Sequence, residues 1–140
     1  MTAANESEWH SIGQHLVRIE LPDIVHVRLR GDVTRSQIEG ILAFERDVPR
    51  PEKGFFSLMD VFDAGRPNLE ILRSADIVKQ IQQYRAMVYY RAQFKHRTVL
   101  EIVQKINRTL NLSLSLVPLV AFATETQARA WIAEQRQAHD

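Results

Sequence analysis

The sequence predicts one α/β domain: a mixed five-stranded sheet in the order β-β-α-β-α-β-α-β-α, with helices packed on it. Two alternating apolar–polar runs, Gln14–Leu21 and Ile24–Gly31, are joined through Pro22-Asp23 and read as a hairpin. Phe55–Val61 is almost continuously apolar, as a central strand covered on both faces should be. From Thr34 onward, helical patterns alternate with short apolar runs, so the later strands pair in parallel through helical crossovers.

Residues 1–9 are polar and acidic and read as a flexible N-terminal tail, leaving 10–140 as a single domain. In the hairpin, Val25, Val27 and Leu29 are set apart from His26, Arg28 and Arg30, which predicts a wet outer face. Thr34 with Gln37 three residues later has the spacing of a capping box. Ile38, Ile41 and Leu42 follow as an apolar stripe, widened by Phe44 and Val48, and Pro49, Pro51 and Gly54 end that helix. After the central strand, Phe62–Pro67 reads as a loop.

A second helix is predicted from an Asn68 cap to about Gln83. At 100° per residue, Ile71, Ala75 and Val78 make one stripe, and Leu69, Leu72, Ile77 and Ile81 lie around the rest of the circumference. Either the helix has a second burial partner, or it breaks near Ser74 into two pieces with separate core faces. Ala86–Tyr90 is a further short strand. A third helix over Phe94–Asn111 has Val99, Ile102, Val103, Ile106 and Leu110 on one face, and Leu116–Phe122 is the last strand. Thr124 with Gln127 caps a fourth helix that turns Ala128, Trp131 and Ile132 inward.

Composition narrows the function classes. The 140-residue chain is long enough for one real core, and 45% hydrophobic with 25% charged residues is neither disordered nor fibrous. A formal net charge of +1 supplies no global attraction to nucleic acid, and no nucleic-acid partner is expected. With no cysteine there are no disulfides, thiol nucleophiles or thiolate zinc sites, as fits a reducing, cytoplasmic setting. Residues 1–9 lack the pattern of a secretory signal, and no apolar run approaches the ~20 residues of a transmembrane helix.

No catalytic constellation emerges. The chain has no G-x-S-x-G, no phosphate-binding glycine motif, and no pair among its five histidines at helical metal-ligand spacing. His15 and His26 lie on the hairpin and read as exposed. Asp60 and Asp63 have the residue types of an acid/base pair or a magnesium site, but Asp at a strand end or in a turn commonly caps backbone donors. No cofactor and no metal are expected. Between Arg85 and Arg108, six Lys or Arg residues face a single acid, Glu101. Arg91, Lys95, His96 and Arg97 therefore form a candidate site for a phosphate, an acidic lipid head group or an acidic partner. The same residues also suit a solvated helix face, since Arg97, Glu101 and Lys105 have i, i+4 spacing.

Several segments carry a resemblance. Gly31-Asp32-Val33-Thr34 leads into Gln37–Glu45, and Phe56-Ser57-Leu58-Met59-Asp60-Val61 follows. Near the end, Val120–Glu125 and then Ala128–Ile132 have the form F-x-T-E-x-x-A-x-x-W. In order and spacing, over roughly residues 16–135, the chain resembles the SpoIIAA-like branch of the STAS fold, that of bacterial anti-sigma-factor antagonists. The resemblance implies a non-enzymatic regulatory domain that docks a protein partner, or a relative that carries a small apolar ligand or lipid. It also implies a phosphorylatable Ser or Thr at the helix start after the acidic position matched by Asp60. Here no hydroxyl residue occurs from Val61 to Arg73, and that switch is not carried over. The predicted docking surface joins the Asp60–Asn68 loop to the second helix. Asp60, Asp63, Arg66 and Asn68 supply its polar contacts, Leu72 and Ile77 its apolar area, and a homodimer through that helix is one form of it.

Overall fold

The structure, a computed structural model, describes residues 8–65, 73–93, 101 and 117–139. Within them, six strands form one mixed sheet in chain order: β1 (His10–Ile12), β2 (His15–Glu20), β3 (Ile24–Gly31), β4 (Phe56–Ala64), β5 (Ala86–Tyr90) and β6 (Leu119–Ala121). β1–β2 and β2–β3 pair antiparallel, and β3–β4, β4–β5 and β5–β6 pair in parallel. The described helices are α1 (Arg35–Arg46), α2 (Ala75–Ile81) and α3 (Glu125–His139). The helix predicted over 94–111 lies outside the described residues except at Glu101. No helix among the described residues is long and apolar enough to cross a membrane.

Among the described residues the sheet has six strands, not the five expected. The additional strand, β1, pairs His10 with Val17 and Ile12 with His15 across a Gly13-Gln14 turn. Three residues are too few to show alternation, so a strand this short leaves no periodic signal. Its turn depends on Gly13, which sits at φ +62°, and a Cβ there would lie 2.4 Å from Gln37 Nε2.

α1 begins as its sequence predicts. Thr34 Oγ1 accepts from the Gln37 backbone N–H at 3.1 Å, and Gln37 Oε1 accepts from the Thr34 N–H at 3.0 Å. Ile41 and Leu42 are buried, and Ile38, Phe44 and Val48 pack against the same cluster. On that face of the sheet α1 and α2 cover Val17, Ile19, Val25 and Val27. On the other face α3 covers Ile24, Phe56, Leu58, Ala86 and Val88 through Ala128 and Ile132. α3 carries the second predicted capping box, with Thr124 and Gln127 exchanging bonds of 3.2 Å.

Three further expectations change. The hairpin's outer face is not wet at its histidines: His15 and His26 are both 0% exposed, because opposite faces of the hairpin are covered. The segment read as a loop from Phe62 is strand as far as Ala64. After a register shift opposite Arg28–Arg30, the long β3 still offers pairing partners, Arg30 to Asp63 and Gly31 to Ala64. The helix before β5 starts at a Ser74 N-cap, whose hydroxyl accepts from the Ile77 N–H at 3.4 Å. The predicted start at Asn68, and with it any first piece of a broken helix, lies outside the described residues. The core face of α2 is also not the stripe expected. Ile77 and Ile81 are buried in the α1-side core and Val78 packs against it, whereas Ala75 is exposed.

Candidate functional site

The largest polar assembly in the described residues crosses the α3 face of the sheet. β3 alternates so that Ile24, His26 and Arg28 share that face, and register places Arg18 beside His26 on β2. His26 Nδ1 lies 2.7 Å from Glu20 Oε2, and its Nε2 lies 2.7 Å from Tyr90 Oη. A neutral imidazole satisfies both bonds when Nδ1–H donates to Glu20 and the Tyr90 hydroxyl donates to Nε2. Trp9 meets the His26 ring edge-on at 4.9 Å, while the guanidiniums of Arg18 and Arg28 lie 4.3 and 4.5 Å from the Trp9 ring centre. The residue expected to end a loose tail therefore covers a buried histidine.

Glu20 is the hub. Arg129 of α3 donates to both its oxygens, at 2.8 and 3.1 Å, and Arg18 donates to Oε2 at 3.0 Å. Arg129 in turn holds Glu125 at 2.8 Å. Burial pushes the Glu20 carboxyl upward, but hydrogen bonds from His26 and Arg129 and the guanidinium charge of Arg129 outweigh it and hold the group well below the usual carboxylate range. Burial, together with the charges of Glu125 and Asp60, pushes the Tyr90 hydroxyl up to about 12, so it remains a hydrogen-bond donor near neutral pH.

Beside this network lies the carboxyl edge of β4 and β5, where two predicted sites meet. Asp60, from the predicted docking loop, accepts from Arg91, from the predicted basic cluster, at 3.2 Å. Asp60 is 7% exposed, and its other oxygen accepts from the Phe62 N–H at 3.1 Å, the capping role open to an Asp at such a position. Arg91 sits at φ +57°, a left-handed conformation that costs a non-glycine residue roughly 1 kcal/mol, with its guanidinium 4.2 Å from the Phe62 ring centre. Phe62, missed as a contact residue, is 41% exposed, and Asp63 beside it is exposed as well.

The other predicted site residues separate from this edge. Ile77 is 3% exposed and belongs to the core on the opposite face, so its apolar character is accounted for without a partner. Arg66, Asn68, Leu72, Lys95, His96 and Arg97 lie outside the described residues. His15 and His26 do not form a pair. His15 faces α1, accepts from the Arg30 N–H at 3.0 Å and reaches Gln37 Oε1 at 2.9 Å. No group of three or more metal-binding side chains occurs among the described residues.

Alternation alone put His26 among surface residues. Its burial depends on Trp9, Tyr90 and Arg129, separated from it by up to 103 residues, and no local pattern joins them. No known protein-family model and no curated protein matches the chain.

Proposed function

We propose that the chain is a non-enzymatic interaction domain of the SpoIIAA-like kind that docks a protein partner at the carboxyl edge of β4 and β5. The observation that carries this reading is Phe62, an aromatic side chain 41% exposed at that edge. The guanidinium of Arg91 lies over it and the carboxylate of Asp63 is next to it. An aromatic anchor ringed by charge is the composition of an interface centre, and the carboxyl edge is where open α/β sheets receive ligands. Asp60 belongs beneath the surface as the support that orients Phe62 and Arg91. The His26 network braces the same edge, its donors and acceptors being largely met by one another. A reducing cytoplasmic setting is part of the reading and rests on the absence of cysteine. An anion site in the basic segment would rest on Lys95, His96 and Arg97, because Arg91 is paired with Asp60.

A photo-crosslinking residue at position 62 tests the reading, with one at exposed position 36 as control. The expected result is adducts to one protein species from position 62 alone, lost when Asp63→Arg is added, with a crosslinked dimer if the partner is a second copy. Identical adducts from both positions, or none from 62, would sink the proposal.

A further inference from the structure

On the face of the sheet opposite the His26 network, the end of α1 and the chain leading into β4 enclose an open cleft of about 410 Å³. This is within the ordinary size range of small-molecule sites, roughly 300–1,000 Å³. Val48 and Phe55 give it an apolar wall, and Glu45, Arg46, Asp47 and Arg50 give it charge. Glu45 is the unusual member. It is 9% exposed, its Oε2 accepts from the Tyr84 hydroxyl, and its Oε1 accepts no hydrogen bond among the described residues.

The charges around Glu45 indicate what would bind. Arg46 folds back so that its Nε donates to Leu42 O at 3.4 Å, and Asp47 adds a negative charge next to it in the chain. Arg50 is exposed and forms no ion pair among the described residues. Among the described residues, Tyr84 is the hydrogen-bond donor to Glu45, and Tyr89 on β5 acts electrostatically on Tyr84. Neither neutral phenol offers a counter-charge. With Glu45 protonated, the cleft presents the exposed Arg50 guanidinium and one carboxyl O–H donor beside an apolar wall.

We propose that this cleft binds a small organic acid, a carboxylate on a short apolar body, with Arg50 as its counter-ion and Glu45 sharing its proton with the ligand. The carboxyl O–H of Glu45 donates to one ligand oxygen, the Arg50 guanidinium meets the carboxylate charge, and the apolar body lies against Val48 and Phe55. Proton retention by Glu45 supports this arrangement. Burial raises the group from 4.5 to about 7, against the Tyr84 hydrogen bond and the charges of Arg50 and Arg46. A strongly shifted group lining a cleft is a recurrent mark of a binding site.

Benzoate is a suitable probe, titrated into the full chain near pH 6 and near pH 8 and followed by amide chemical shifts. For a binding-competent form that requires a group titrating at about 7 to be protonated, the apparent affinity falls about tenfold between those conditions. Glu45→Gln keeps binding and removes the pH dependence, and Arg50→Ala, a surface change that leaves the spectrum otherwise intact, loses binding at both values. The proposal is overturned by the absence of saturable shifts at residues 45–55, by unchanged binding in Arg50→Ala, or by pH-independent binding in the unaltered chain. Benzylamine binding that tightens as pH rises would instead make the cleft a cation site and would equally overturn it.

Discussion

The imidazole Nε2 of His26 and the hydroxyl of Tyr90 lie 2.7 Å apart inside the sheet, although 64 residues separate them in the chain. β3 and β5 are not paired along their backbones, since β4 runs between them. The bond therefore spans a whole strand on the α3 face, above Leu58. Tyr90→Phe removes the hydroxyl and leaves a buried ring nitrogen without a partner, at a cost of about 1–3 kcal/mol. Urea denaturation of Tyr90→Phe, His26→Leu and the double variant checks this. The double variant should lose clearly less than the sum of the two single losses, as neighbours in one network do.

Glu20 makes the fold sensitive to acid. Its folded-state carboxyl titrates below the ordinary 4.5, so its contribution is present above that value and is lost as pH falls through the depressed one. Glu20→Gln should be less stable than the unaltered chain at neutral pH, with a shallower decline on acidification. Denaturant midpoints measured from neutral pH down to about pH 3 give the comparison. Parallel declines in the two proteins would refute it.

Glu45 acts in the opposite sense. Its folded-state value is raised to about 7 from 4.5, so the folded chain binds this proton more tightly than the unfolded one. Stability from this group is full below about 4.5 and declines as pH rises to about 7, by on the order of 3 kcal/mol. Glu45→Gln retains an acceptor for Tyr84 and should abolish that decline. Thermal or urea unfolding across this window distinguishes the two.

Ser57 carries a buried hydroxyl that makes no hydrogen bond among the described residues, on the central strand between Val25 and Met87. Removing an unsatisfied buried polar atom while keeping the backbone is neutral or favourable. Ser57→Ala should leave stability unchanged or raise it by up to about 1 kcal/mol, read as a denaturation midpoint. A loss above that would mean the hydroxyl has a partner.

Ile77 separates a core role from a docking role. At 3% exposure within the core, Ile77→Ala should cost about 2–5 kcal/mol in chemical denaturation. Phe62→Ala, at the exposed edge, should change stability by less than about 1 kcal/mol.

Features governed by neighbours a few residues apart were legible from the amino-acid order alone. Thr34–Gln37 and Thr124–Gln127 specify two helix starts because capping is a three-residue interaction. The apolar run at Phe55 marked the central strand because a strand buried on both faces cannot alternate. The same local logic placed Ile71, Ala75 and Val78 on one stripe, but a Ser74 cap starts α2 there and turns Ile77 and Ile81 inward. Tertiary structure alone decided which polar residues are buried. His26, Glu20, Tyr90 and Arg129 each look like ordinary surface or core residues in sequence, and Trp9 looks like part of a tail. They become one network because the sheet brings β2, β3 and β5 under α3, and a buried charge or ring nitrogen is tolerated only where distant partners complete its hydrogen bonds.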